Sequence, residues 1–455
     1  MHQTKARFLS LQLTTAGILT LCASGAMASG FALIDQSSSL MGNAYAGGSA
    51  IASDASTVYF NPAGMTRVPK QLVGGLQFVL PQAEFNGSAN DLLNNPVATG
   101  GNGGDAGDLG VIPNLYFTVP VTNKIALGLG INAPFGLSTE YDKDWVGRYE
   151  AIKSNLITIN INPAIAYKAS NTLSVGLGVN LQYARAELTQ AIDQGSLCIA
   201  NQIQQGVLPG TAATNCAGLG LTPQGNDAFA KIEGDGWAGG INVGLLYEPS
   251  HATRIGLAYR SRINQQLTGN ANFRRVDPLF SQGTFPIFVD TNVNASLDLP
   301  QSISLSAYHD LSARWAVMAD ATWTGWDSFK ELRIKYDTFQ PDTVTNEDWN
   351  NTMRYSLGIN YTANNHWTFR SGVAFDQSPI PDNQHRTARI PGEDRTWVSV
   401  GVGYQMTQTL GIDIGYSHLF VKEPKVSSGS ATSGTINGDY DASVDIASAQ
   451  LVWNL

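Results

Sequence analysis

The chain has 455 residues, of which 27 are basic and 36 are acidic, so its formal net charge at pH 7 is −9. A negative chain without a basic tract is unsuited to binding nucleic acid, and we exclude that class of partner. The 47 glycines and the 14% of charged residues favour tightly packed, twisted β-strands over helices. Beyond residue 28, no apolar run approaches the ~18 residues of a membrane-spanning helix.

Residues 1–28 have the three parts of a secretory signal peptide. Lys5 and Arg7 supply the positive start, residues 9–22 are mostly apolar, and residues 26–28 (Ala-Met-Ala) fit the small-x-small cleavage pattern. The mature chain is therefore expected to begin at Ser29. It is predicted to be periplasmic, secreted, or inserted as a barrel in a bacterial outer membrane.

Residues 29–70 do not alternate between apolar and polar positions. They are rich in Gly, Ser, Ala and Asn, and their larger side chains include Tyr45, Val58, Tyr59 and Phe60. This composition predicts a compact irregular segment with a few helical turns, packed against the rest of the chain. Pro62 fixes its own φ and biases Asn61 toward an extended backbone, so Asn61, Pro62 and Ala63 are predicted to form a fixed turn.

From residue 71 to the C-terminus, stretches of alternating apolar and polar residues are separated by breaks. Residues 173–183 alternate most cleanly, with aliphatic or aromatic side chains at odd positions and small or polar ones at even positions. A strand has a period of 2, so each stretch has one apolar and one polar face. Strands are predicted to begin near residues 71, 111, 124, 156, 173, 232, 253, 300, 315, 353, 367, 396, 410 and 443.

The breaks between these strands are alternately short and long. Short turns are predicted at 121–123, 168–172, 248–252, 310–314, 362–366 and 405–409, and long connections at 85–110, 135–155, 190–231, 269–299, 333–352, 376–395 and 421–442. A soluble β-sandwich has no reason to alternate in this way, whereas a membrane β-barrel has tight periplasmic turns and long outer loops. The fold class is therefore predicted to be all-β, a transmembrane antiparallel barrel of about 14 strands in the outer membrane.

Strand parity assigns the residues to the lipid face or to the lumen. Ile125, Leu127, Leu129 and Ile131 are expected to meet lipid, and aromatic residues near strand ends are expected to form girdles. The same parity points a set of polar and charged residues into the lumen: Asn180, Gln182, Arg260, Arg262, Asp320, Arg354, Arg370 and Asp413. Alternation up to Leu455 resembles the signal that the barrel assembly machinery recognises, so this machinery is an expected partner.

Two cysteines remain after the signal peptide, Cys198 and Cys216, both in a long outer loop. The exported compartment permits disulfides, and the neighbourhood offers too few further ligands for a metal site. A disulfide that holds this loop is therefore favoured over metal binding. No metal or other cofactor is expected.

The motifs together resemble those of the FadL-like outer-membrane transporters of long-chain fatty acids and other hydrophobic compounds. Residues 29–33 (Ser-Gly-Phe-Ala-Leu) and 36–38 are similar to that family's N-terminus, and residues 42–47 and 61–64 (Asn-Pro-Ala-Gly) to its hatch. Further similarities lie at 132–137 (Asn-Ala-Pro-Phe-Gly-Leu), 183–186, 259–261, 367–372, 376–381 (Asp-Gln-Ser-Pro-Ile-Pro), 390–391 and 394–395.

The resemblance implies a fourteen-stranded barrel, residues 71–455, plugged by a hatch formed by residues 29–70. In that family, ligand is caught in an apolar groove on the outer loops, passes to a pocket inside, and leaves sideways where the third strand is kinked. Pro134 has no N–H for the ladder and Gly136 tolerates a sharp bend, so the exit is expected at Asn132, Pro134, Phe135 and Gly136. An ordinary strand end at Pro134 is the alternative.

Candidate ligand-binding residues follow from the same resemblance and from parity. Arg260 and Arg370 are the lumen bases to test first, although salt bridges to Asp320 or Asp413 would also explain them. Gln190 has lumen parity and is uncharged, and Phe31 lies at the start of the hatch. Phe285 and Phe288 belong to an apolar run in an outer loop that predicts the capture groove.

The expected ligand is a long-chain fatty acid or another hydrophobic small molecule, with an aromatic compound or an alkane as the alternative. An outer-membrane enzyme is disfavoured because neither His385 nor His418, the two outer histidines, has a convincing partner constellation. A general porin would not need an N-terminal plug or apolar outer loops. Membrane lipid and lipopolysaccharide are further expected partners of a monomer.

Overall fold

The computed structural model describes residues 30–282, 286–430 and 433–455. The predicted signal peptide at 1–28 and the candidate Phe285 lie outside these ranges. Among the described residues, no helix is both long enough and apolar enough to cross a membrane. Six short helices occur in these ranges: α1 (Ser38–Met41), α2 (Gly48–Ile51), α3 (Thr57–Phe60), α4 (Gln194–Gln204), α5 (Pro209–Gly218) and α6 (Pro278–Ser281).

β-Strands make up most of the rest of the chain. They are β1 (Gln71–Asn90), β2 (Gly110–Pro120), β3 (Ile125–Asn132), β4 (Gly136–Glu140), β5 (Lys153–Lys168), β6 (Leu173–Asp193), β7 (Asp227–Ser250), β8 (Thr253–Arg260), β9 (Ile263–Arg274), β10 (Thr291–Leu299), β11 (Ser302–Asp310), β12 (Trp315–Thr324), β13 (Glu331–Tyr336), β14 (Thr343–Asn346), β15 (Thr352–Thr362), β16 (Trp367–Asp376), β17 (Arg395–Gln405), β18 (Leu410–Val421), β19 (Lys425–Ser430) and β20 (Gly434–Asn454).

The strands close into one antiparallel barrel. β1 pairs with β2 on one side and with β20 on the other, from Gln71 opposite Asn454 to Asn90 opposite Thr435. The wall has 14 strands because four of them are interrupted, namely β3–β4, β8–β9, β10–β11 and β12–β13. β14 and β19 are additional outer segments that pair with β13 and β20. The predicted fold class and the predicted strand number are confirmed.

The outer connections are shorter than predicted because the strands continue beyond the membrane. β6 continues to Asp193 and β9 continues to Arg274. β10 already begins at Thr291, and β20 already begins at Gly434. The sequence there loses its alternation because no lipid faces the strands, but the backbone ladder continues. These segments were predicted as loops, which is wrong.

Parity correctly separates the two faces where a strand is continuous. Leu127, Leu129 and Ile131 are exposed on the outside of the barrel, while Asn180 and Gln182 are buried in the lumen. The prediction for Arg262 is wrong: this side chain is exposed, whereas the next residue, Ile263, is buried. Ser261 and Arg262 interrupt the strand between β8 and β9, and this break reverses the parity.

The segment from residue 30 to residue 70 lies inside the barrel and is called the hatch below. Its helices α1–α3 and the 3₁₀ turn Pro62–Arg67 are almost entirely buried. Glycines on the inner wall let it approach closely, because a Cβ at Gly176 or Gly244 would collide with residues 61–63. Asn61 accepts from the Ala63 amide at 3.0 Å and donates to the Leu245 carbonyl at 2.9 Å, which joins the turn to the wall.

Wall arginines donate hydrogen bonds to hatch carbonyls. Arg354 reaches the Ala44 carbonyl at 2.6 Å, and Arg260 reaches the Tyr59 carbonyl at 2.9 Å. Hydrogen bonds from charged donors contribute more than neutral ones, roughly 1.5–3 kcal/mol each. These contacts hold the hatch to one sector of the wall, from β8 to β15, which are separated by β11 and β12.

Candidate functional site

The third wall strand is interrupted between Asn132 and Gly136. Below the interruption, β3 pairs with β2 up to Leu115 opposite Ile131, whereas β4 forms a ladder with β5 and only a single bridge, Thr139 to Gly107, on its other side. Residues 110–114 of β2 pair with β1, and no ladder joins them to the third strand in the described residues. Pro113 and Pro134, one on each side of this gap, have no N–H to bridge it. The wall therefore has a lateral gap in its hydrogen-bond ladder.

The start of the hatch occupies the inner side of this gap. The Leu33 amide donates to the Pro134 carbonyl at 2.9 Å, and the Gly136 amide donates to the Phe31 carbonyl at 3.0 Å. The Gln36 side chain also donates to the Ala133 carbonyl at 2.7 Å. Backbone groups that the bend frees cannot be satisfied by lipid. The hatch supplies partners for Ala133, Pro134 and Gly136 instead, so the gap and the hatch N-terminus form one structural unit. The Thr158 hydroxyl of β5 pairs with both backbone groups of Phe135.

Phe31 places its side chain at the centre of an aromatic cluster behind the gap and is only 2% exposed. Its ring centroid lies 4.8 Å from that of Trp326, 5.5 Å from that of Phe329 and 6.2 Å from that of Phe135. Trp349 completes the cluster at 5.6 Å. Edge-to-face contacts of this kind add to the burial of apolar area. Phe31 thus separates the lumen from the gap in this conformation.

Above and beside Phe31 lies an apolar pocket with about 730 Å³ of empty space. The lining comes from seven neighbouring wall strands and is mostly aliphatic, with Asn155 and Glu233 as its polar members. It includes Leu137, Leu156, Leu188, Ile232, Leu297 and Ile390.

One arginine, Arg389, directly precedes the lining residue Ile390 in the chain without being a lining residue itself, and its position is called the pocket rim below. Arg389 donates to the Gln190 side-chain oxygen at 2.7 Å and to the Ser154 hydroxyl at 3.1 Å. Within the described ranges, no carboxylate forms an ion pair with Arg389. Burial lowers the pKa of Arg389 to about 10, so the guanidinium remains charged at pH 7. It is a cation at the end of an apolar pocket.

Two carboxyl groups in the outer loops act on Arg389 electrostatically. Burial raises the pKa of Glu347 to about 8, and burial also raises the pKa of Glu150. Glu347 accepts a hydrogen bond from the Trp349 indole, and Glu150 accepts one from Ser433, so both groups have neutral partners. At pH 7 most Glu347 is protonated, and it neutralises Arg389 only in part.

The candidate residues predicted from parity have different environments. Gln190 contacts Arg389 at the pocket rim, as described above. Arg370 forms a salt bridge to Asp413 at 2.7 Å, which is the neutralisation that the sequence offered as the alternative. Arg260 donates to Asn180 at 2.7 Å and lies over the Tyr59 ring at 4.3 Å, without an ion pair to Asp320 among the described residues. Arg260 and Arg370 are therefore not part of the apolar pocket.

The outer-loop apolar cluster is built around a disulfide. Cys198 in α4 and Cys216 in α5 are bonded, and both lie buried with Ile199, Ala212 and Phe280. Phe288 packs against this cluster with its ring tilted to that of Phe280, 6.1 Å away between ring centroids. In the chain-entropy model, closing a loop of this size stabilises the fold by about 3 kcal/mol.

Exposed apolar side chains surround the disulfide cluster. Leu208 is 75% exposed and Leu279 is 52% exposed, and each is the chain neighbour of a residue in or against the cluster, Val207 and Phe280. Large apolar patches on a water-exposed protein surface usually mark sites that bind a ligand or a partner. In the described ranges, no group of three or more His, Cys, Asp or Glu side chains is placed so that it could hold a metal ion.

Arg389 was missed by the sequence reasoning. It lies in the outer loop between β16 and β17, where no strand parity assigns a direction. The only available signal was its position next to Ile390, the first residue of a motif that contributed to the family resemblance. A tertiary contact between distant loops and strand ends places it beside Gln190.

Comparison with known proteins places these features in a family. Residues 19–454 match the family model described as outer membrane protein transport protein (OMPP1/FadL/TodX). The chain is 31% identical over 421 residues to the long-chain fatty acid transport protein of Escherichia coli (strain K12), covering 90% of this chain and 92% of that protein.

Two solved structures share the fold. A Pseudomonas aeruginosa FadL homologue superposes with a TM-score of 0.84 at 26% identity, covering 93% of this chain and 99% of the other. The Ralstonia pickettii toluene transporter TbuX superposes with a TM-score of 0.64 at 18% identity, covering 90% and 96%. At that identity, the second likeness establishes the fold alone.

Proposed function

The chain belongs to the outer membrane protein transport family OMPP1/FadL/TodX, and from that membership we propose that it takes up long-chain fatty acids and releases them sideways into the membrane. It is an outer-membrane transporter of hydrophobic molecules and not an enzyme. The observation that carries the fatty-acid assignment is Arg389, a cation without a carboxylate partner among the described residues, at the rim of the apolar pocket.

Capture begins at the outer-loop cluster around the disulfide. Leu208 and Leu279 offer exposed apolar surface beside Phe288, and a fatty acid that arrives from water loses hydrated area there. The candidate Phe285, outside the described residues, belongs in sequence to the connection between α6 and β10. This cluster acts as the first, weaker binding site.

The pocket then binds both parts of the fatty acid, the carboxylate and the acyl chain. Arg389 and Gln190 hold the carboxylate at the rim, and the chain lies against Leu156, Leu188 and Ile232. Each buried CH₂ contributes about 0.8 kcal/mol, so a long chain supplies most of the affinity. The carboxylate adds a charge-assisted hydrogen bond and gives preference for acids over neutral compounds.

Release uses the gap between β2 and the third strand. Phe31 and the segment 31–33 leave the inner side of the gap, and the acid passes between residues 110–114 and residues 133–136 into the membrane. The transfer costs little, because the chain moves from one apolar medium into another. The hatch contacts of Arg260 and Arg354 hold the remaining hatch in place, so no aqueous pore opens.

We assign the remaining expected partners to the outer surface. Arg185 is a half-exposed outward base above the Tyr183–Trp237 aromatic pair and is suited to lipopolysaccharide phosphates. The apolar outer face of β20, with Leu451 and Trp453, is suited to recognition by the barrel assembly machinery. The proposed transport path lies within one barrel, so a monomer suffices for it.

Replacing Arg389 by Gln tests the function. The dissociation constant for a C16 acid should rise roughly 10- to 100-fold, since one charge-assisted contact is lost, while that for its methyl ester should not change. Competition against a tritiated acid on the purified protein measures both. Arg185→Gln is the matched control, because it removes an outward arginine. Equal losses for acid and ester, or no loss for the acid, would refute the head-group assignment.

A further inference from the structure

A row of buried amides crosses the inner wall below the apolar pocket, on strands that line the pocket, although none of the amides is itself a lining residue. We call it the amide belt, and its members are Asn132, Asn160, Asn162, Asn180, Gln182, Asn242 and Gln265. All seven point into the lumen and are at most 2% exposed. The belt begins at the kinked third strand and follows four further wall strands. Its last member on β9, Gln265, is opposite the pocket residue Leu297 in the ladder.

Hydrogen bonds join the belt residues to one another. Asn160 donates to Asn180 at 2.9 Å and is 3.2 Å from the Asn132 oxygen, and Gln265 donates to the Gln182 carbonyl at 3.2 Å. Asn162 and Asn180 both donate to Asn242, at 2.9 and 3.1 Å. The five asparagines of the belt therefore form one connected network, and Gln265 is attached to the main chain of Gln182.

The belt also holds several polar atoms without a partner among the described residues. They are the side-chain nitrogens of Asn132 and Gln182 and the side-chain oxygens of Asn160, Asn162 and Gln265. A concentration of unpaired buried groups in one place is unusual in a native protein. Both donors and acceptors are free, which suits a neutral group that can do both, and a methyl group pressed against them satisfies none.

We propose that the amide belt ends the apolar pocket and sets the length of the acyl chain that the protein prefers. The inference rests on the proposed function, because it takes the carboxylate to be held by Arg389. Arg389 contacts Ser154, and Asn160 lies six residues further down the same strand, about 20 Å away at about 3.3 Å per residue. An extended chain advances about 1.2 Å per bond, so a chain of roughly 16 carbons spans this distance.

The other route for the end of the chain is closed. Phe31 and Phe135 fill the side toward the gap, and the Gly136 amide is bonded to the Phe31 carbonyl. A longer acid must therefore bend or press its methyl end against the belt. In both cases the additional CH₂ groups no longer contribute about 0.8 kcal/mol each to binding, a contribution that corresponds to about fourfold in affinity.

Dissociation constants for saturated acids from C8 to C22 test this proposal on the purified protein. We expect affinity to rise about fourfold per CH₂ up to roughly C16 and then to stop rising. Asn160→Leu should move this limit to longer chains, whereas Arg389→Gln should weaken all acids equally and leave the limit in place. A limit that Asn160→Leu does not move, or affinity rising through C22, would overturn the proposal. Absence of binding at every length would instead refute the proposed function.

Acids with a terminal hydroxyl test the belt without a mutation. On a C10 acid the hydroxyl ends in the apolar pocket and should weaken binding roughly 5- to 100-fold, because it has no partner there. On a C16 acid it reaches the belt, where Asn160 and Gln182 have free atoms, and affinity should be equal to or higher than that of the parent acid. The same loss at both lengths would show that the belt does not contact the chain end.

Discussion

Deletion of residues 31–60 should convert a barrel with almost no ion conductance into an open pore. The wall closes on itself through β1 and β20, so its ladder does not depend on the hatch. Removing the hatch exposes Arg254, Arg260 and Arg354 to the lumen, where water replaces the hatch carbonyls as their partners. A wide polar lumen admits water and small ions, as in porins.

Single-channel recording in a planar bilayer measures this change. The wild-type protein should give no large open states, and the deleted protein should give stable ones. Resistance of the folded barrel to protease, compared with the wild type, shows that the wall has assembled. A folded, deleted barrel that remains closed to ions would show that the hatch does not seal the lumen.

A disulfide between Ala32→Cys and Phe135→Cys should abolish uptake and leave binding intact. These two residues are antiparallel partners in an isolated bridge between the hatch and the kink. Opposite Cβ atoms in such pairs lie about 4.5–5.5 Å apart, close to the separation that a disulfide needs. The bond keeps the segment 31–33 on the inner side of the gap, so a bound acid cannot leave sideways. Uptake into cells should return when a reductant is added.

Controls separate this effect from damage to the aromatic cluster. Phe135→Cys alone removes the same ring without fixing the hatch, and its uptake should not depend on reductant. A disulfide between Leu115→Cys and Ile131→Cys joins β2 to β3 below the gap, where these two strands already pair, and should leave uptake unchanged. Full uptake by the oxidised Ala32→Cys/Phe135→Cys protein would contradict lateral release.

The wall was predictable from the sequence because a membrane strand has a strict period of two residues and a different environment on each face. Lipid outside and a polar lumen inside impose alternation at every residue, which located the strand starts and the short turns. Beyond the membrane this constraint ends, so the continuation of β6 to Asp193 and the early start of β20 could not be predicted. The error at Arg262 has a similar origin. The break at Ser261 and Arg262 changes which residues of the strand face the lumen, and the residue types there do not indicate a break.

The site was less predictable because it depends on contacts between distant segments. Arg370 has lumen parity, but only the fold shows that Asp413 neutralises it. Arg389 has no parity at all, and its position beside Gln190 is set by how an outer loop folds over the barrel. The kink residues were found from proline and glycine chemistry, whereas the hatch amides and carbonyls that complete their hydrogen bonds were not.

Diffraction from crystals grown with a C16 acid that carries bromine at its terminal carbon tests the central claim most directly. Anomalous scattering locates the bromine, and the electron density locates the carboxylate. We predict the carboxylate within hydrogen-bond distance of Arg389 and the bromine beside Asn160 or Gln182, about 20 Å further down the wall. An acid bound only at the outer-loop disulfide cluster, or with its carboxylate at Arg260, would contradict this account.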